Sequence, residues 1–177
     1  MTTPSRTATA TQVLGFLDTT DGITLWIDGG WGVDALLQRQ TRAHRDLDIV
    51  IAEASLPALI STLVDAGYER LGGEGLVLRS PEALHVDVHT VTFDNQGRGC
   101  FALGDGRVWP FPPSAFQGEG CIDGRPVRCL SAEAQVHCHA QGYPPTARDI
   151  ADMRALEAAF GVFLPLALGA RFPEPAD

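Results

Sequence analysis

The chain is short of positive charge: 13 basic residues stand against 22 acidic ones among 177, a formal net charge of −9. Nucleic-acid binders normally carry a basic footprint, so no nucleic-acid partner is expected. Cysteine is sparse too. The four present, at 100, 121, 129 and 138, form no CxxC pair, and a domain of this size can do without disulfides, so reduced thiols in a cytoplasmic protein are expected. No apolar run approaches the ~20 residues of a membrane span, so no membrane partner is expected. The opening MTTPSRTATAT lacks the apolar core of a signal peptide. There is no GxxxxGK[ST] and no GxGxxG after a strand, which removes P-loop ATPases and dinucleotide enzymes from consideration. No internal repeat is visible.

What is present is enough apolar material for a core, 45% of residues, with 20% charged. That favours one globular domain with a small appended part. Residues 1–10 read as a disordered tail, 11–130 as the core domain and 131–170 as a helical C-terminal part, with a frayed RFPEPAD end. The acidic balance suits general solubility, and it also suits a cationic small substrate, because an acidic cleft concentrates cations.

Apolar spacing predicts a helix over 11–20 and a strand over 23–27, with Ile23, Leu25 and Ile27 on one face. Gly29-Gly30 breaks that strand, and 31–37 regains helical spacing. Residues 38–45 are polar and loop-like. A strand follows over 46–51, with Leu47, Ile49 and Ile51 on one face and Asp46, Asp48 and Val50 on the other, open to a cleft. A helix is predicted over 56–66, with Ser55 as its cap and Pro57 in its first turn. Residues 85–91, HVDVHTV, alternate again and put His85, Asp87, His89 and Val91 on one face. Residues 94–113 are rich in Gly, Asp and Pro and read as turns and short strands. A hairpin turns at Asp123-Gly124, and helices follow over 131–141 and 147–160. Strands and helices mixed this way predict an α+β (α/β) fold, a mixed β-sheet with helices on one face and a helical C-terminal part.

The chemistry concentrates in three carboxylates. Asp46 and Asp48 lie two residues apart on a strand, roughly 6.6–6.8 Å, with side chains on one face. Asp87 sits at the centre of another apolar strand, where an unpaired carboxylate is costly and needs a partner, a metal or solvent. Three carboxylates suit Mg²⁺, which prefers oxygen ligands and keeps waters and substrate phosphates as its others. Two such ions about 3.5–4 Å apart could clamp an in-line displacement at phosphorus. Gly29 and Gly30 precede a helix whose free N–H groups attract phosphate. Arg42, His44 and Arg45 lie just before the acidic pair, where a cation can neutralise a triphosphate; a solvated loop is the plain alternative. His89 shares a face with Asp87 and could touch substrate or act as acid or base; a structural histidine is the plain alternative. His137-Cys138-His139 looks metal-like, but falls in a predicted helix, where positions two apart point in different directions.

Gly29-Gly30-Trp31, Asp46-x-Asp48 and Asp87 in an apolar strand resemble the DNA polymerase β-like nucleotidyltransferase superfamily. The string DGGWGVDALLQRQTRAHRDLDI is similar to the small lincosamide nucleotidyltransferases of bacterial antibiotic resistance. Aminoglycoside 2''-nucleotidyltransferases share the looser pattern GGW, TRxHxDxD. The resemblance runs over about residues 24–156 and is least clear over 93–116, where the acceptor pocket is expected. It implies a nucleotidyltransferase fold and transfer of AMP or another nucleoside monophosphate from ATP or another NTP to a drug hydroxyl, releasing pyrophosphate. It further implies Asp46, Asp48 and Asp87 as Mg²⁺ ligands and catalytic carboxylates, with Asp87 binding metal or removing the hydroxyl proton. Gly29, Gly30, Arg42 and His44 would contact nucleotide, and His89 and Trp31 substrate. The expected protein is a cytoplasmic monomer or homodimer that acts with Mg²⁺ on a lincosamide. An aminoglycoside acceptor, an acceptor outside the antibiotics, and a non-catalytic nucleotide-binding or antitoxin-type module of the same fold are the alternatives.

Overall fold

The computed structural model describes residues 7–73, 75–102, 106–141 and 144–168. Residues 1–6 of the expected tail and the RFPEPAD end lie outside them. The tail ends sooner than expected: Ala8 is buried and bridges to His44, with its N–H donating to the His44 carbonyl at 2.8 Å. Thr9 then caps α1 (Ala10–Thr19) in a reciprocal capping box with Gln12, satisfying N–H groups that have no partner inside the helix. Val13 and Phe16 carry the buried face of α1.

The next elements are β1 (Leu25–Asp28), α2 (Gly29–Leu37), β2 (Leu47–Ala52) and α3 (Leu56–Asp65). β1 starts later than the alternation suggests and runs on through Asp28, and α2 starts at Gly29 rather than Trp31. Strand and helix thus adjoin with no loop between them. Asp28 makes this possible: it stays extended and its Oδ1 accepts from the Gly29 N–H at 2.7 Å. Ser55 makes no capping bond, because a 3₁₀ turn over Glu53–Ser55 leads into α3 and holds Ser55 in a helical conformation. β3 (Glu69–Arg70), β4 (Val77–Arg79) and β5 (His85–Phe93) follow, then the hairpin β6 (Gly99–Ala102) and β7 (Val108–Phe111). A second hairpin, β8 (Gly118–Ile122) and β9 (Arg125–Cys129), precedes α4 (Ala132–Gln141) and α5 (Ala147–Phe160). Thr146 and Asp149 form the capping box of α5, and Gly161, at φ +67°, ends it.

The sheet is mixed, in the order β3-β4-β5-β2-β1-β9-β8, with β2∥β5 and β1∥β9 parallel and its other pairings antiparallel. The β6–β7 hairpin hangs off the far end of β5. Leu25, Ile27, Leu47, Ile49, Ile51, Val86 and Val88 line one face and pack with residues of all five helices, Phe16, Leu59, Leu63, Trp31, Val136 and Met153 among them. Truncating a fully buried Ile of this layer to Ala would cost about 2–5 kcal/mol. The opposite face is closed over part of its length. Trp26, Val50 and Val91 meet Phe111, Ala115, Leu130 and Ala134 in a second, smaller core. Val50 is therefore sealed, whereas Asp48 on the same face stays open to the cleft. Among the described residues no helix is long and apolar enough to cross a membrane.

Candidate active site

Strand register builds the acidic cluster. Asp28 on β1 pairs with Asp48 on β2, and Asp48 pairs with Asp87 on β5. Neighbouring strands lie about 4.8 Å apart, and paired residues point to the same face, so three carboxylates form a row across three strands. His89, two residues beyond Asp87, joins them: single ligand atoms of Asp48, Asp87 and His89 all lie within 4.8 Å of one another. Asp46 precedes β2 and is outside that tight group, although its charge acts on Asp48.

The electrostatics call for a cation. Burial raises the Asp48 carboxyl above the usual range. His89 opposes this, while the charges of Asp28 and Asp46 add to it. His89, with Nε2 3.8 Å from Asp48 Oδ1, is pushed up to about 9 by its bond to Asp48, against burial and with help from Asp28 and Asp87. His89 therefore brings one positive charge to the edge of the row, beside Asp48. Asp48 and Asp87, with Asp46 alongside, offer the hard oxygen donors that Mg²⁺ takes. The imidazole of His89 is a poorer ligand for that ion.

Beside the row lies the start of α2. Gly29 sits at φ +57°, and a Cβ there would run into the Asp48 carboxylate. A Cβ on Gly30 would run into the His44 imidazole and come within 2.9 Å of Arg42 Nη2. Both positions exclude a side chain, and the first-turn N–H groups of α2 have no acceptor within the helix. Their partial positive charge next to the acidic row makes a place for phosphate.

Three residues expected to touch substrate or nucleotide stand elsewhere. Trp31 is 2% exposed and packs against His44 with ring centroids 5.0 Å apart; because α2 begins at Gly29, Trp31 is turned into the core. His44 is 3% exposed and pairs through Nε2 with Asp34, which also accepts from the Thr41 N–H (3.0 Å) and hydroxyl (2.6 Å). It backs the glycine turn from inside. The Arg42 guanidinium is tied to Asp152 of α5, with Nε at 3.1 Å and Nη2 at 2.7 Å from Oδ2. Burial opposes its charge, but Asp152 outweighs burial and holds the guanidinium charged. It flanks Gly30 while fastening the loop to the C-terminal helices.

The cluster opens into a cavity of about 390 Å³. Asp28, Gly29, Asp48 and His89 form one side; Phe101, Ala102, Trp109 and Phe111 of the β6–β7 hairpin form the other, with Cys138 and His139 of α4 at its edge. This wall lies within 93–116, the stretch expected to shape the acceptor pocket, but sequence reasoning did not single out its rings, and it missed Asp28. The Asp-Gly junction before a helical stretch was the available signal for Asp28, since Asp is a favoured cap. A larger hollow of about 460 Å³ between the end of α1 and β9 contains none of the clustered groups, and its Arg125 and Arg128 bond to Asp18 and Thr24.

The aminoglycoside-2''-adenylyltransferase family profile matches residues 10–156. The chain belongs to that family. Its sequence is 32% identical over 139 residues to a lincosamide resistance protein of Staphylococcus haemolyticus, covering 77% of this chain and 85% of that one. It is 32% identical over 133 residues to a 2''-aminoglycoside nucleotidyltransferase of Klebsiella pneumoniae, covering 70% of this chain but 66% of that one. Its fold matches the lincosamide antibiotic adenylyltransferase LnuA, solved with lincomycin bound, at a TM-score of 0.72 and 30% identity, over 86% of this chain and 99% of that one. The protein is a nucleotidyltransferase of this family, with the mixed sheet and helices expected for it.

Proposed function

We propose that the protein transfers a nucleoside monophosphate, AMP in the first instance, from a nucleoside triphosphate to a hydroxyl of a lincosamide-type antibiotic, with Mg²⁺ as cofactor. The observation that carries the reading is the carboxylate row of Asp28, Asp48 and Asp87, set between the start of α2 and a cavity with an aromatic wall. In this reading the first-turn amides of α2 hold the triphosphate, with Gly29 and Gly30 letting it approach. Asp48 and Asp87, with Asp46 beside them, would hold Mg²⁺, which would supply charge neutralisation at the phosphoryl oxygens. Asp87 accepts the acceptor hydroxyl's proton as that oxygen bonds the α-phosphorus. The bond to the bridging oxygen breaks and pyrophosphate leaves. His89 meets the polar edge of the acceptor from the cavity side. Positioning and charge neutralisation contribute most of the acceleration.

Two observations favour a lincosamide. Half the cavity's sides are carbon, from Phe101, Ala102, Trp109 and Phe111, which suits a drug with an apolar ring better than a polycationic sugar. The chain also spans a larger share of the lincosamide relative than of the aminoglycoside one, 85% against 66% by sequence and 99% against 89% by structure. The acidic row and the net charge of −9 favour the second reading, an aminoglycoside acceptor. Incubation with ATP, Mg²⁺ and either lincomycin or tobramycin, read by mass spectrometry, separates them. A gain of one AMP on lincomycin and none on tobramycin is expected. Modification of tobramycin alone overturns the acceptor class, and nucleotide binding without transfer to any acceptor points to a non-catalytic module.

A further inference from the structure

The cavity's carbon wall is continuous with the second, smaller core. β6 and β7 pair antiparallel with Phe101 opposite Trp109, and Phe111 lies two residues beyond Trp109 on the same face. The three rings tile one side of the hairpin: Phe101 and Phe111 meet edge-on at 5.1 Å, Trp109 and Phe111 at 4.9 Å. Phe111 is 2% exposed, while Trp109 keeps part of its surface open to the cavity.

Trp109 packs against the rings of Phe111 and His137. Behind Phe111 and His137 lies a second hollow of about 410 Å³, bordered by Pro110, Ala115, Glu133 and Ala134. What fixes the indole plane is a hydrogen bond: Trp109 Nε1–H donates to His137 Nε2 of α4 at 2.8 Å, with the rings 5.0 Å apart. An indole nitrogen can only donate, so Nε2 must offer its lone pair and the proton of the neutral ring must sit on Nδ1. Gln141 Nε2 lies 3.4 Å from Nδ1; with the proton on Nδ1, the amide is the other way round and its oxygen accepts, since the O and N of an amide are assigned from such networks.

We infer that Trp109 is the residue that sets acceptor specificity, stacking on an apolar ring face of the acceptor, and that His137 is its positioning residue. The inference rests on the cavity being the acceptor site of the proposed reaction. It commits to a ligand class, a molecule carrying its reactive hydroxyls on one side and a ring with an apolar face on the other. On sugars studded with amines the ring faces are rimmed by strongly hydrated cationic groups, whose desolvation against carbon is costly.

Steady-state kinetics of the full chain with lincomycin and ATP test it, using Trp109→Ala, Trp109→Phe, His137→Leu and His137→Gln. Trp109→Ala should raise the lincomycin KM about tenfold or more and leave the ATP KM within about twofold. His137→Leu and Trp109→Phe each remove the hydrogen bond, and each should raise the lincomycin KM about three- to tenfold. Combined, they should do no more than either alone, because they delete one interaction. His137→Gln, whose oxygen can accept the indole N–H, should return to within about twofold of the wild type. If His137→Leu fails to fold, Trp109→Phe and His137→Gln carry the same comparison. An unchanged lincomycin KM in Trp109→Ala, an equal rise in the ATP KM, or a Gln variant as poor as Trp109→Phe overturns the inference. A wild-type chain that modifies tobramycin but not lincomycin overturns the functional reading, and the ligand class with it. The specificity role of Trp109 then stands or falls separately, by whether Trp109→Ala changes the tobramycin KM.

Discussion

The two sides of the cavity are made in opposite ways. The carboxylate side is a product of backbone: three central strands in fixed register place Asp28, Asp48 and Asp87 abreast, and α2 starts with no loop after β1. The aromatic side is a product of side chains, three rings on a hairpin that pairs with the end of β5 and leans on one hydrogen bond from α4. Register slips of one residue would turn every carboxylate to the other face, so the first side is all-or-none. The second can change at the half-buried rings of Phe101 and Trp109 with less effect on the sheet, whereas Phe111 belongs to the second core beneath it. A division of labour follows, with the shared donor chemistry on the rigid side and acceptor choice on the adaptable one.

Breaking the rigid side should have the largest effects. Asp48→Asn or Asp87→Asn is expected to lower kcat by about 10³-fold or more, while lincomycin binding, read by calorimetry, stays within about threefold. Asp48→Asn should also leave the melting temperature of the metal-free protein at or above the wild type's. Burial and the charges of Asp28 and Asp46 already disfavour ionised Asp48 in the folded state. Retained turnover, or a collapse of the fold, would remove the metal assignment. Gly29→Ala comes next. It forces a side chain into φ +57° and against Asp48, and should cut kcat/KM for ATP about 10²-fold with the acceptor affinity little changed. An equal loss in acceptor affinity would dissolve the distinction between the two sides.

The same contrast decides what could be read from sequence. Leu47, Ile49 and Ile51 alternate cleanly, so β2 and the facing of Asp48 were legible from period alone. Asp87 followed from HVDVHTV. Asp28 could be read locally as a helix cap, but its place in the row comes from pairing with Asp48 across strands, a long-range fact that the local sequence does not carry. Arg42 and His44 were expected to contact nucleotide from the loop before the acidic pair; that they also flank the glycine turn and are held by Asp152 and Asp34 was not legible, because those partners lie 110 and 10 residues away. Trp31 looked available only while α2 was thought to begin at it. The wall of Phe101, Trp109 and Phe111 lay in a stretch whose Gly, Asp and Pro content announces turns and says nothing of which rings will meet.

The Arg42–Asp152 pair tests whether the rigid side depends on the C-terminal helices. Arg42 is 30% exposed at its side chain and Asp152 7%. Arg42→Ala leaves a nearly buried carboxylate without its partner, whereas Asp152→Ala leaves a cation that can still reach water. The first should therefore destabilise more, by about 2–3 kcal/mol against about 1 kcal/mol, read by urea unfolding. Equal losses would place the pair in a more exposed setting than the structure gives it.

The smallest expected effect belongs to the adaptable side. Phe101→Leu removes one ring from the wall but keeps its bulk and apolar character, and Phe101 contacts Phe111 rather than the hydrogen bond that fixes Trp109. Losing one edge-on aromatic contact costs about 0.5–1.5 kcal/mol at most, part of which the leucine side chain recovers. The melting temperature should fall by about 2–4 °C at most, and the lincomycin KM should rise about two- to threefold, with kcat and the ATP KM unchanged within error. A fall in kcat in this variant would mean that the wall reaches into the chemistry after all, and that the two sides of the cavity act as one.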